Sequence, residues 1–232
     1  MSGHGISIII PVLNEARGIV HLLERLQDFR RAGAEIIVVD GGSVDHTQRL
    51  AGGLADRILS ADRGRGRQMN AGAAIARGDA FLFLHADTCL PAAALTLVGD
   101  ALANGATWGR FDVRIAGSLR GLGMVALMMN WRSRVTGIAT GDQAIFVTRE
   151  AFRRVGGFPE IALMEDIVLS RELRACAWPA CFSDRVTTSG RRWERNGLLR
   201  TILMMWRLRL RFHFGASPAD LAREYGQVSD ER

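Results

Sequence analysis

Residues 35–43 read EIIVVDGGS, in which Ile36, Ile37, Val38 and Val39 are followed by Asp40, two glycines and Ser43. Four consecutive apolar, β-branched residues leave no polar face. The segment therefore reads as a strand buried on both sides, as in a parallel sheet covered by helices. Gly41 and Gly42 close it with a turn. Working outward, residues 6–11 form a similar run, ended by a proline that cannot donate to a ladder. Between the two, residues 16–31 carry Ile19, Leu22, Leu23, Leu26 and Phe29 at helical spacing. Downstream, a helix begins at residues 46–54, a short strand follows at 57–59, and an alanine-rich helix is expected at 68–77. Residues 80–84 are a fourth apolar strand, and Pro91 is placed to open the next helix at its first turn. Alternating strands and helices point to a Rossmann-like half.

Ligands of open α/β sheets lie beyond the carboxyl ends of the strands. Three polar clusters fall at such ends: Asn14 with Glu15, Asp40 to Asp45, and His85 to Asp87. They converge on one sheet edge, which is an argument for a binding site that needs no relative.

The 232 residues suffice for one full core with a C-terminal addition, and 48% hydrophobic against 23% charged residues is ordinary globular composition. The net charge is +6, carried by arginine in the complete absence of lysine. That pattern suits an anionic partner such as a nucleotide diphosphate, and a compositional bias accounts for it equally. Cys89, Cys176 and Cys181 form no disulfide or zinc framework and read as buried free thiols in a reducing compartment. Residues 1–5 lack the basic and apolar runs of a secretory leader, and no stretch approaches a membrane span. A cytoplasmic protein is expected, with contact at the inner membrane face left open.

Beyond residue 105 the pattern changes to strand-like pieces at 109–115 and 143–148, with helix from Glu165. Residues 63–67 read RGRGR, in which glycines let backbone amides approach an anion and arginines surround it, so the loop can cradle phosphates. It lacks the third glycine of a dinucleotide fingerprint and any G-K-[ST] ending. Residues 198–214 mix arginines with Leu, Met, Trp and Phe. They fit an amphipathic helix resting on a membrane and, equally, a core or dimer helix. Residues 216–225 read as a short helix, with Ser217 before Pro218.

Taken in order, ISIIIPVLNE (6–15), EIIVVDGGSVDHT (35–47) and FLFLHADT (81–88) resemble the opening signatures of family 2 glycosyltransferases, and the resemblance runs over roughly residues 5–190. It implies a GT-A fold: an α/β, mixed, mainly parallel Rossmann-like sheet flanked by helices. The glycosyltransferase domain would be residues 1–195, with a nucleotide half at about 5–105 and an acceptor half at about 106–195. Residues 196–232 would form a helical C-terminal appendage. The implied activity is inverting transfer from a nucleotide-sugar to a small or lipid-linked acceptor with Mn²⁺ or Mg²⁺, and nucleic acid is not an expected partner.

The resemblance also distributes roles. Pro11, Asn14, Glu15, Asp40, Arg67, Asn70 and Ala86 are expected on the donor, although Asn14 could instead cap a helix. Asp87 is expected at the metal, with His85 beside it in place of the first carboxylate of a D-x-D. Asp142, Gln143 and Gly157 match acceptor-side segments, with Arg191 and Arg192 as further acceptor-side candidates. Glu165 and Asp166 match the E-D signature, in which Asp166 is the base. Two departures stand out: Gly41 replaces the usual second acidic residue, and no glutamine precedes Arg192-Trp193, which argues against processive synthesis. The rival readings are a sugar nucleotidyltransferase, whose glycine-rich loop would follow the first strand, and a non-catalytic basic protein binding membrane or nucleic acid. The second leaves the acidic strand ends unexplained.

Overall fold

A computed structural model describes residues 5–230; the leader expectation for the N-terminus falls largely on residues 1–4, outside that range, as do the last two residues of the appendage. The first half runs β1 (Ile6–Val12), α1 (Ile19–Arg31), β2 (Glu35–Asp40), α2 (Thr47–Ala51), β3 (Arg57–Ser60), α3 (Arg65–Ile75), β4 (Ala80–Phe83), β5 (Thr88–Cys89) and α4 (Ala94–Ala103). The second half runs β6 (Trp108–Ala116), α5 (Leu122–Thr136), a 3-10 turn (Gly141–Gln143), β7 (Phe146–Thr148), α6 (Arg149–Arg154), α7 (Glu165–Cys176) and β8 (Ala180–Ser189). Three helices close the chain: α8 (Arg191–Asn196), α9 (Leu198–His213) and α10 (Pro218–Asp230).

The strands form one mixed sheet in the order β3-β2-β1-β4-β7-β6-β8-β5. β3, β2, β1 and β4 are mutually parallel, as the buried runs required, and β6 pairs with β8 in parallel. β7 is antiparallel to both β4 and β6, and β5 is antiparallel to β8. Side chains alternate across the sheet. Ile8, Ile10, Ile36 and Val38 pack under α1, while Ile9, Ile37 and Val39 pack with Met69 and Ala73 of α3. Each such fully buried aliphatic side chain contributes roughly 1.5–3 kcal/mol. A third cluster joins Met164 to Met204, Leu208 and Leu221, so the C-terminal helices dock on the residue that precedes Glu165.

Several boundaries differ from the sequence reading. β1 continues through Pro11 to Val12, because β4 pairs with β1 only as far as Ile9 and the missing Pro11 donor faces no neighbour. The RGRGR stretch is not an open loop. α3 begins within it at Arg65, and Gly66 is needed because a Cβ there would stand 2.5 Å from the Pro159 carbonyl. Pro91 lies in a turn ahead of α4, whose first residue Ala94 donates to the Pro91 carbonyl. Gln143 belongs to the 3-10 turn instead of a strand. Cys176 is exposed where a buried thiol was expected, and all three cysteines are free.

Candidate active site

The loops after β1 and β2 hold each other. The Asn14 amide donates to Ser43 Oγ at 2.8 Å, and Asn14 Oδ1 accepts from the Val44 amide at 2.9 Å. Asn14 therefore adopts a positive φ of 54° and braces the loop, and Gly18, not Asn14, stands at the N-cap of α1. Asp40 is fully buried, and its Oδ1 accepts from the amides of Gly42 and Ser43, both at 2.7 Å. Burial works to raise its pKa, but the hydrogen bonds from Ser43 and Gly42 prevail and hold the carboxyl below its ordinary range. Its other oxygen, Oδ2, is buried without a partner, which is an acceptor waiting for a donor. An open groove lined by Ser43, Val44, Thr47, Gln48 and Ile58 runs beside this loop.

The departure at Gly41 has a physical cause. Gln68, on α3, sends its Nε2 to the carbonyls of Val12 and Val39 at 2.9 and 2.8 Å. A Cβ at position 41 would stand 2.9–3.1 Å from that side-chain amide. Gln68 thus occupies the space a second acidic side chain would need, and the sequence reading missed it.

At the end of β4, His85 Nδ1 faces Asp142 Oδ1 at 3.3 Å. The far side of the imidazole, at Nε2, packs on Gly141 so closely that a Cβ there would overlap the ring. Loss of solvent would raise the Asp142 pKa, but the hydrogen bond and charge of His85, with Arg65 and Arg192, lower it. Asp166, at the N-terminus of α7, accepts from the Gly141 amide at 2.8 Å. His85, Gly141, Glu165 and Asp166 line one narrow crevice over Met69 and Phe83. Glu165 is buried, and its pKa is raised by burial and by Asp166 against the opposing charge of Arg65, 3.9 Å away. Met164, just before it, is held at a φ of 73°, a left-handed conformation rare for a residue with a side chain.

Asp87 is exposed. It meets the second half through β5 and β8, where the Ser189 amide donates to the Asp87 carbonyl and Thr88 Oγ1 donates to Thr188 Oγ1 at 3.1 Å. This pairing brings Glu15, Asp87 and Arg191 near one another, and burial, with Asp87 and Asp45, raises the Glu15 pKa against the pull of Arg191. Among the described residues no three His, Cys, Asp or Glu side chains form a metal cluster. Asp87 offers an open carboxylate, an oxygen donor of the kind Mg²⁺ and Mn²⁺ take, while the neighbouring His85 has its Nδ1 engaged by Asp142. The residues fit a cation whose remaining ligands come from a diphosphate and water.

Other expected contacts are occupied elsewhere. Asn70 gives Nδ2 to the Phe158 carbonyl at 2.8 Å and takes the Phe158 amide at 2.9 Å, so it is a strut between α3 and the loop that joins α6 to α7. Gly157, with a φ of 78°, leaves room for that strut. Arg67 pairs with Glu160 at 3.2 Å, and it is Arg65 whose charge reaches Glu165 and Asp142. Gln143 is buried in a reciprocal bond with Thr140. Arg192 stacks over the Tyr225 ring at 4.3 Å, and its pKa is lowered by burial and by Arg65, against Asp142 and Asp87. The charge of Asp166 also acts on Arg132 of α5 and Arg209 of α9, which the sequence did not single out.

Residues 7–147 match the family model described as "Glycosyl transferase family 2". A curated relative, undecaprenyl-phosphate 4-deoxy-4-formamido-L-arabinose transferase of Pseudomonas paraeruginosa, is 30% identical over 145 residues, covering 58% of this chain and 41% of its own length. A PGL/p-HBAD biosynthesis glycosyltransferase of Mycobacterium bovis is 36% identical over 91 residues, 36% of each chain. This chain therefore spans less than half the length of the curated relatives it matches. Among solved structures, mannosyltransferase PcManGT from Pyrobaculum calidifontis, in complex with GDP-Man and Mn²⁺, aligns with a TM-score of 0.64 at 19% identity over 98% of this chain and 70% of that one. S. aureus TarS 1-349 aligns with a TM-score of 0.64 at 17% identity over 80% of this chain and 60% of that one. These likenesses show the GT-A fold.

Proposed function

The chain belongs to glycosyl transferase family 2, and from that premise we propose that it moves a sugar from a nucleotide-sugar to a lipid-linked acceptor, with inversion and with help from a divalent cation. The observation that carries this reading is the placement of Asp166. Its carboxylate is held by the Gly141 amide in the same crevice as His85, at the carboxyl edge of the sheet where the acidic strand ends converge.

In this reading Asp40 takes the nucleoside, because its orphaned Oδ2 can accept from a base or ribose donor. Asn14 and Glu15 shape the same loop pair, and Pro11 in β1 and Ala86 after β4 are assigned to the same donor side. Arg65 and Arg192 face the diphosphate across Asp142. A divalent cation at Asp87 would neutralise charge developing on the departing diphosphate. Asp166 removes the proton as the acceptor oxygen attacks the anomeric carbon from the face opposite the leaving group. Glu165, whose pKa is raised by burial and by Asp166, sits beside that base. His85 orients Asp142, and Arg191 closes the donor side near Glu15.

The lipid-linked acceptor is supported by the undecaprenyl-phosphate transferase relative and by two apolar stripes. α5 exposes Met124, Leu127, Met128, Trp131 and Val135, and α9 exposes Leu199, Leu203, Trp206 and Leu210, with Phe214 at its C-cap. Such spacing with flanking arginines is how a helix rests on a membrane surface. No helix among the described residues is long and apolar enough to cross a membrane.

The test is calorimetric titration with UDP- and GDP-sugars in the presence and absence of Mn²⁺, followed by turnover of Asp166→Asn. We expect nucleotide binding that Mn²⁺ strengthens, and a variant that binds donor normally but has lost transfer by about 10²–10⁴-fold. Full turnover in the variant removes Asp166 as the base, and no binding of any nucleotide removes the reading.

A further inference from the structure

The arginines of the cleft divide into two sets. Arg65 and Arg192 lie by Asp142, and the charge of Asp87 acts on Arg192, which is the donor side of the proposed reaction. Arg132 and Arg209 lie by Asp166, on two helices that the donor-binding half does not include.

The second pair is under-satisfied. Nε and Nη2 of Arg132 are buried without a hydrogen-bond partner, and only its Nη1 reaches a carbonyl, that of Ile138 at 3.3 Å. Nε of Arg209 is likewise buried and unpartnered. The Asp166 carboxylate is held by the amides of Gly141 and Ile167, and neither guanidinium hydrogen-bonds it through the unpartnered nitrogens. Burial and the charge of Arg209 push the Arg132 guanidinium down to about 10, although Asp166 opposes the shift. Two like charges with unpaired donors, drawn together out of water, cost a fold stability unless an anion completes them.

We infer that Arg132 and Arg209 form the seat of a phosphoryl group carried by the acceptor, beside the base and apart from the donor diphosphate. The planar fork of guanidinium is suited to phosphate oxygens, and two forks from different helices enclose one group. The inference rests on the glycosyltransferase reading for the word acceptor, but the seat itself rests on the unpaired nitrogens. The helices that supply the seat are also those that carry the exposed apolar stripes. An apolar chain leaving the phosphate would therefore find Trp131 and Trp206 on the same two helices.

The test uses the full chain, with geranyl phosphate, glycerol 1-phosphate and geraniol as probes on one side and UDP and GDP with Mn²⁺ on the other. It compares wild type with Arg132→Met, Arg209→Met and the double variant, which keep the apolar stems. We expect wild type to bind phosphate monoesters, and the double variant to lose at least about tenfold in that affinity while nucleoside diphosphate binding stays within about twofold. Geranyl phosphate binding more tightly than glycerol 1-phosphate identifies a lipid phosphate, and equal binding identifies a water-soluble phosphate ester; both support the seat. Monoester affinity unchanged in the double variant, absent from wild type, or lost in parallel with diphosphate affinity overturns it. Without ligand, the Met variants should melt at or above wild type, because an unpaired buried charge has gone. A clear fall in melting temperature makes the arginines structural and overturns the seat. Arginine-dependent monoester binding without any nucleotide binding would keep the seat and sink the glycosyltransferase reading.

Discussion

A single glycine and a single glutamine decide how β2 ends. Gly41 is small because the Gln68 amide lies where its Cβ would be, tied to the carbonyls of Val12 and Val39. Gln68→Ala should lower stability by about 1–3 kcal/mol, since it leaves a buried carbonyl short of its donor; a urea unfolding curve measures it. Gly41→Asp should destabilise by itself and recover part of the loss when combined with Gln68→Ala, a coupling of roughly 0.5–3 kcal/mol in a double-mutant cycle. Additive losses would show that the two side chains do not compete. Gly141→Ala should displace the His85 ring and reduce turnover without loss of nucleotide affinity. At this scale the sequence was only partly legible. The positions of Asp40, Asp87 and Asp166 at strand ends and at a helix start could be read from the sequence, because there a residue's address follows from its element. Gln68, Arg132 and Arg209 lie within helices, where nothing in the spacing tells an inward arginine from a solvated one. Asn70 misled for the opposite reason: its amide is polar but already engaged by Phe158.

α7 begins with two carboxylates at its N-terminus, where the helix dipole favours negative charge, yet Glu165 is buried and its pKa is raised. Asp166 adds to the rise, and Arg65 and His85 oppose it. A carboxyl raised in the fold holds its proton more tightly folded than unfolded. Its stabilisation is present below the reference value of 4.5 and is lost as pH rises through the folded value. Glu165→Gln, which keeps the neutral form, should therefore melt close to wild type near pH 4 and above it at pH 7. A series of melts across that window checks the sign, and a variant less stable at pH 7 would show that Arg65 stabilises the charged form more than burial penalises it. The RGRGR stretch teaches the same lesson for elements. Composition read it as a phosphate cradle, whereas packing turned its second half into the first turn of α3, with Gly66 making room for Pro159.

The whole molecule was legible in its first half, because β-branched runs buried on both faces admit one architecture, a parallel sheet between helices. The second half was not, since the order β4-β7-β6-β8-β5 depends on long-range pairing, parallel at β6–β8 and antiparallel elsewhere, that no local pattern records. The C-terminal helices, foreseen as an appendage, pack through Met204 and Leu208 on Met164 while exposing a second apolar face. If that face rests on lipid, Leu203→Glu with Leu210→Glu should abolish co-sedimentation with anionic vesicles and leave the melting temperature within about 2–4 °C, as expected for changes near 1 kcal/mol in a chain of this size. Retained sedimentation would assign the stripe another partner. The two-residue strand β5 has a consequence of its own. Thr88 and Cys89 are clasped by Thr188 and Thr187, which rivets the Asp87 turn of the first half to the Arg191 turn of the second. The clasp fixes the spacing between the Asp87 turn and the Arg191 turn across the candidate site.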